Sequence, residues 1–208
     1  LKQKYWQVLP VGPTIFGDSP YQPSSGCAGN IYFIDLDKLV DEGLLEKEEI
    51  LGYNWGTDES EIDYAALHQN RCKILQKAFE RFDTNAQDFQ DFVKKQSEWL
   101  EQYALFMTLK TDNLYKNWSE WPSEYRNTQT VALEKYQKKN YNTITFWKFC
   151  QYKFFEQWED LKNYANSKGI YIIGDISFYV GYDSVDVWAE RQLFMMSAND
   201  TPEYVAAA

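Results

Sequence analysis

No stretch of about 18 consecutive apolar residues occurs in this chain, so it holds no candidate transmembrane helix. The opening LKQKYWQVLP lacks a charged segment followed by an apolar one, and no signal peptide is expected. Basic residues are outnumbered: 21 Lys and Arg against 31 Asp and Glu, a net charge of −10. Without a basic cluster there is no surface for phosphate backbones, which excludes nucleic acid as a partner. Cysteine is scarce and odd in number: Cys27, Cys72 and Cys150 are too far apart for a zinc knuckle or a disulfide framework. A reducing compartment such as the cytoplasm is therefore expected, with the sequons at Asn117 and Asn199 idle. His68 is the single histidine, on a segment that reads as a helix surface, and no G-x-S-x-G elbow accompanies it. The C-x-x-C, H-E-x-x-H, P-loop and G-x-G-x-x-G patterns are all missing, so neither a metal nor a cofactor is expected.

What the chain has in excess is aromatic residues. Phe, Trp and Tyr make up 18% of its 208 residues, with eight Trp and sixteen Tyr. Aromatic faces pack on one another in cores, and they also stack on the C–H faces of sugars. Composition alone does not separate the two uses.

Organisation is visible along the chain. Tyr5–Val11 is short, apolar and closed by Gly12-Pro13, as a buried parallel strand would be. A long Gly/Pro/Ser-rich loop follows, from Gly12 to Asn30; loops of this length in compact domains usually carry function. Ile31–Ile34 and a helical turn come next. Helical spacing then sets in from Glu59, and a second helix is expected over 84–109, with Phe89, Phe92, Trp99, Tyr103 and Phe106 on one side. Residues 111–142 read as loops with one short helix. A strong helix is expected over 145–168, ended by Lys168-Gly169. Ile170–Ile176 reads as a second buried strand. The pattern predicts an α/β fold in which a helix delivers the chain into a parallel strand, with a large helical insertion between the strands. It divides into 1–45, a helical 46–142, and 143–208.

Two groups could carry chemistry. Asp175 sits late in an apolar strand, and active sites of parallel barrels and sheets form at strand carboxyl ends. A carboxylate there can bond a substrate hydroxyl or orient a neighbour; it can equally be a cap. Asp18, Ser19, Tyr21 and Gln22 lie in the loop after the first strand. They combine an aromatic platform with hydrogen-bonding groups, the mixture a sugar needs. Gly-Asp-Ser-Pro also suits a tight turn for backbone reasons alone.

YWQVLPVGPTIFGDSPYQ and AGNIYFIDLDKLVDEGLL closely resemble the amylomaltases, or 4-α-glucanotransferases. AFERF (78–82), WLEQYALFMTLK (99–110), the run 149–176 and YDSVDVWAERQLF (182–194) extend the likeness over nearly the whole chain. The resemblance implies part of a TIM (β/α)8 barrel, holding strands 2 and 3 and a large helical insertion. It implies retaining transfer of maltooligosaccharide segments between α-1,4-glucans, by the two-carboxylate logic of retaining glycosidases. The nucleophile Asp and the acid/base Glu of the family follow later barrel strands, so no catalytic residue is expected here. By the same likeness the chain is an internal piece, inactive without the remainder of its barrel. Substrate contacts carry over to Tyr21, Ser19 and Asp175, and Phe16 matches a secondary glucan contact that is commonly Tyr. Ser177 departs from the family, where Pro is usual. An α-glucan hydrolase and a non-catalytic glucan-binding module are the alternatives; unpaired strand edges count against the second.

Overall fold

The computed structural model describes residues 2–15, 17–58 and 60–205. Two three-residue strands, β1 (Tyr5–Gln7) and β2 (Tyr171–Ile173), pair in parallel, with Tyr5 opposite Tyr171 and Gln7 opposite Ile173. The ladder is extended by Tyr171 N–H to the Lys4 carbonyl and Val8 N–H to the Ile173 carbonyl, at 2.8 and 3.0 Å. Both strands are shorter than their apolar runs suggest, and neither is buried. Tyr5 is 65% exposed and Tyr171 57%. The expectation of two buried strands is thus corrected. Among the described residues the sheet has only these two strands, so one edge of each is open and little packs over their side chains.

Among the described residues, no further strand lies between these two, and the stretch is mainly helix and loop. Short helices α1 (Leu36–Asp41) and α2 (Lys47–Leu51) precede the long α3 (Tyr64–Arg81). Asp63 starts α3 by accepting the Ala66 N–H at 2.8 Å. The single helix expected over 84–109 is two: α4 (Gln87–Lys95) and α5 (Ser97–Asp112), which meet at Gln96. That break lets Phe92 reach Tyr152 and Phe155 while α5 runs along α8. The polar stretch after it is more ordered than its composition indicates, with α6 (Ser123–Arg126) and the ten-residue α7 (Thr130–Lys139). The central helix α8 spans Tyr141–Ser167, so a boundary at 142 falls inside its first turn. It ends as the sequence suggests: Gly169 takes φ +72°, its N–H bonds the Asn166 carbonyl, and Ile170 N–H bonds the Ala165 carbonyl. This is a Schellman cap. After β2, α9 (Val185–Ala189) follows a strap of residues 181–184. No described helix is long and apolar enough to cross a membrane.

Most of the aromatic excess is core. Phe82 meets Phe89 and Phe149, Trp121 and Trp188 pack on Phe106, and Trp118, Tyr103, Phe89, Phe106 and Phe149 are among the most deeply buried side chains. On the outer surface, Arg81 of α3 holds Glu49 of α2 through two hydrogen bonds, at 2.6 and 3.0 Å. The guanidinium holds the Glu49 carboxyl down to about 2, from its ordinary 4.5. A lowered carboxyl contributes stability above its unfolded value and loses it as pH falls through the folded one. Replacing Arg81 by Met is expected to lower the urea midpoint at neutral pH, with the deficit narrowing between pH 4.5 and pH 2. Parallel urea titrations of the two proteins across that range check it.

Candidate substrate-binding site

Parallel pairing puts the carboxyl ends of β1 and β2 on one side, and both candidate groups leave from there. The loop carrying Tyr21 follows β1; Asp175 stands two residues past the end of β2. The two side chains meet although 154 positions separate them: the Tyr21 hydroxyl donates to Asp175 Oδ2 at 2.8 Å. Asp175 Oδ1 accepts the Ile176 N–H, also at 2.8 Å, which fixes the plane of the carboxylate. Donating a hydrogen bond to a carboxylate raises the Tyr21 phenol above its ordinary value, so it stays protonated. Its ring is 45% exposed, unlike the core aromatics, and stands open as a platform.

The loop is built to hold that ring. Asp18 sits at φ +52°, a conformation that Asp tolerates better than most residues, and its N–H closes a turn on the Ile15 carbonyl. Ser19 Oγ accepts the Tyr21 N–H at 3.3 Å, and the Ser19 carbonyl accepts the Gln22 N–H at 3.2 Å. Ser19 therefore makes the expected tight turn. Phe16 lies outside the described residues.

Ser177 is the site residue whose importance sequence reasoning missed. Its hydroxyl donates to the Pro20 carbonyl at 3.0 Å, tying the segment after β2 to the residue before Tyr21. The departure from Pro at this position was the visible signal. Further back, Gly29 N–H donates to Gln151 Oε1 at 2.7 Å, and Gln151 Nε2 donates to the Gly29 carbonyl at 3.0 Å. Gln157 grips Asp35 in the same two-way fashion, so α8 anchors the far end of the loop twice.

A second cavity of about 640 Å³ lies between the loop and helices α3 and α5, lined by Tyr32, His68, Cys72, Tyr115 and Lys110 among others. Burial pushes the Cys72 thiol up to about 11 and the Tyr32 phenol up to about 12. Neither is a poised nucleophile at neutral pH. His68 is exposed on α3, edge-on to Tyr115. No cluster of metal-ligating residues occurs among the described residues.

The site thus couples an open aromatic ring to a fixed carboxylate where two parallel strands end. A family model described as 4-alpha-glucanotransferase matches residues 1–203. The chain belongs to that family. It is 41% identical over 196 residues to a 4-alpha-glucanotransferase of Clostridium butyricum, covering 94% of this chain and 40% of that protein. It is 43% identical over 210 residues to one of Streptococcus pneumoniae, covering 99% and 41%. Among solved structures, the amylomaltase from Streptococcus agalactiae in complex with acarbose superposes with a TM-score of 0.90 at 38% identity, over 96% of this chain and 41% of that one. The chain spans about two-fifths of the length of these relatives.

Proposed function

We propose that the complete protein is a 4-alpha-glucanotransferase that moves maltooligosaccharide segments between α-1,4-glucans with retention, in the cytoplasm. Membership of the family and the likeness to a structure solved with acarbose support this reading. On it, β1 and β2 are the second and third strands of a TIM barrel. Residues outside this chain supply the nucleophile and the acid/base group. The open edges of β1 and β2, and the exposed Tyr5 and Tyr171, then face the rest of that barrel.

The observation that carries the proposal is the bond from Tyr21 to Asp175. Tyr21 offers a ring face to the donor sugar, Asp175 accepts from its hydroxyls, and Ser19 offers a donor at the rim. Holding all three before substrate arrives lowers the cost of ordering them during the reaction. A glucan seated on such a surface also displaces water, which favours a sugar 4-hydroxyl over hydrolysis as the second step.

Incubating the complete protein with maltotriose tests the reading. Glucose together with a ladder of longer maltodextrins is expected. Glucose and maltose without longer products would establish a hydrolase instead. Within an active transferase, Tyr21→Ala is expected to lower kcat/KM for maltotriose by about 10- to 100-fold, the scale of a lost stacking platform. Unchanged kinetics would remove Tyr21 from the donor site.

A further inference from the structure

Lys110 is nearly buried on α5, 7% exposed, in the wall of the cavity it shares with the fully buried Phe106 one turn back. A lysine is costly in such surroundings unless its charge is met. It is met by the Asp183 carboxylate, with which it forms an ion pair, and by the Lys116 carbonyl at 2.7 Å. The second oxygen of Asp183 accepts the Trp118 N–H at 3.2 Å. The Trp118 indole donates to the Tyr182 carbonyl at 2.7 Å, and the Arg191 guanidinium lies 4.5 Å over its ring. The helical insertion thus grips the strap after β2 through one charge pair, buried on the Lys110 side and half-buried on the Asp183 side, and its supports.

The other side of the strap holds the substrate loop. Gly181 N–H donates to the Pro23 carbonyl at 3.1 Å and Val185 N–H to the Ser24 carbonyl at 2.9 Å. Asp186 Oδ2 accepts the Gly26 N–H at 3.0 Å. Pro23 is two residues from Tyr21. The chain of contacts therefore runs from Lys110 through Asp183 and the strap to the loop whose ring meets Asp175.

Stability alone does not call for ions here, because well-packed apolar residues often replace a buried pair without loss. What a charge pair adds is one defined position, since a shifted strap leaves the nearly buried Lys110 without its counter-charge. We propose that Lys110 and Asp183 are positioning residues: the pair sets the strap, and the strap sets the Tyr21 ring against the donor sugar. This rests on the 4-alpha-glucanotransferase reading. It assigns the helical insertion a part in substrate placement.

The test uses Lys110→Met and Asp183→Asn in the complete protein, each alone and in a Tyr21→Ala background. Readouts are kcat and KM for maltotriose and the melting temperature. Each variant is expected to lower kcat/KM by about 10- to 100-fold, the scale of a displacement of roughly 1 Å at a reacting group. In the Tyr21→Ala background the further fall is expected to be under about threefold, because groups acting through one another are not additive. Equal falls in both backgrounds would overturn the proposal, as would a lowered melting temperature with unchanged kinetics of the folded enzyme. Should both variants fail to fold, Asp183→Glu keeps the charge and moves the carboxylate by one methylene. A several-fold loss of kcat/KM is then expected, and wild-type kinetics would overturn the proposal. A wild-type protein that makes no maltodextrin ladder would instead refute the transferase reading itself.

Discussion

Asp175→Asn in the complete protein is expected to lower turnover of maltotriose by about 100-fold, with the melting temperature unchanged. The size follows from what one preorganised hydrogen-bonding group contributes at a transition state in a site closed to water. The variant keeps the shape of the side chain and one oxygen, which can accept from the Tyr21 hydroxyl while the Ile176 N–H loses its acceptor to the amide nitrogen. It loses the negative charge, and a charged acceptor bonds roughly twice as strongly as a neutral one. Kinetics and thermal melting on the same preparations separate the outcomes. A fall in melting temperature with wild-type turnover in the folded fraction would make Asp175 a structural cap.

The largest effect on stability is expected at Gly29. A Cβ there would lie 1.9 Å from Cδ1 of Phe154 and 2.1 Å from Cε1. Phe154 is itself 4% exposed and has little room to swing away. Gly29→Ala must either push that ring out of its place or pull the backbone off Gln151, leaving the buried amide unbonded. Overpacking usually costs about 1–3 kcal/mol, and an orphaned buried polar group costs about as much. By either route a loss of about 1–3 kcal/mol is expected from urea unfolding of the complete protein. Gly52→Ala is the control, since its Cβ would meet only the Glu49 and Glu48 carbonyls, at 3.4 and 3.5 Å, and its φ of −71° suits any residue. A Gly29→Ala variant as stable as wild type would mean that the ring can give way.

Legibility in the sequence followed how local each signal is. The end of α8 was plain because Lys168-Gly169 is a local cap. The break at Gln96 was not, because neither Gly nor Pro marks it and Phe92 fits a continuous helical face equally well. The strands were recognisable as apolar runs, but hydropathy records what a finished fold covers, and here much of both strands is open. The family was legible from long motifs, and the comparisons bear it out. Tyr21 and Asp175 were each visible as candidates, from residue type and place. That one bonds the other depends on strand register, which no local pattern encodes. The Lys110–Asp183 pair was invisible for the same reason: a lone lysine ending an apolar helical run looks like a solvated helix end.

The register of the sheet carries a consequence for how the chain acquires its structure. Tyr5 and Tyr171 are neighbours in space, and the whole helical insertion separates them in sequence. Strands this far apart in sequence meet slowly, since closing so long a loop costs chain entropy before any contact offsets it. The helices between them meet over shorter separations than the two strands do, and α5 on α8 forms the largest of these docks. Once that middle is condensed, α8 delivers β2 to a spot already fixed, and Gln151 and Gln157 hold the Gly29 and Asp35 end of the chain there. The strand pair is then a late event on the folding route. During synthesis, β1 gains β2 as a partner only after the whole helical insertion between them has left the ribosome.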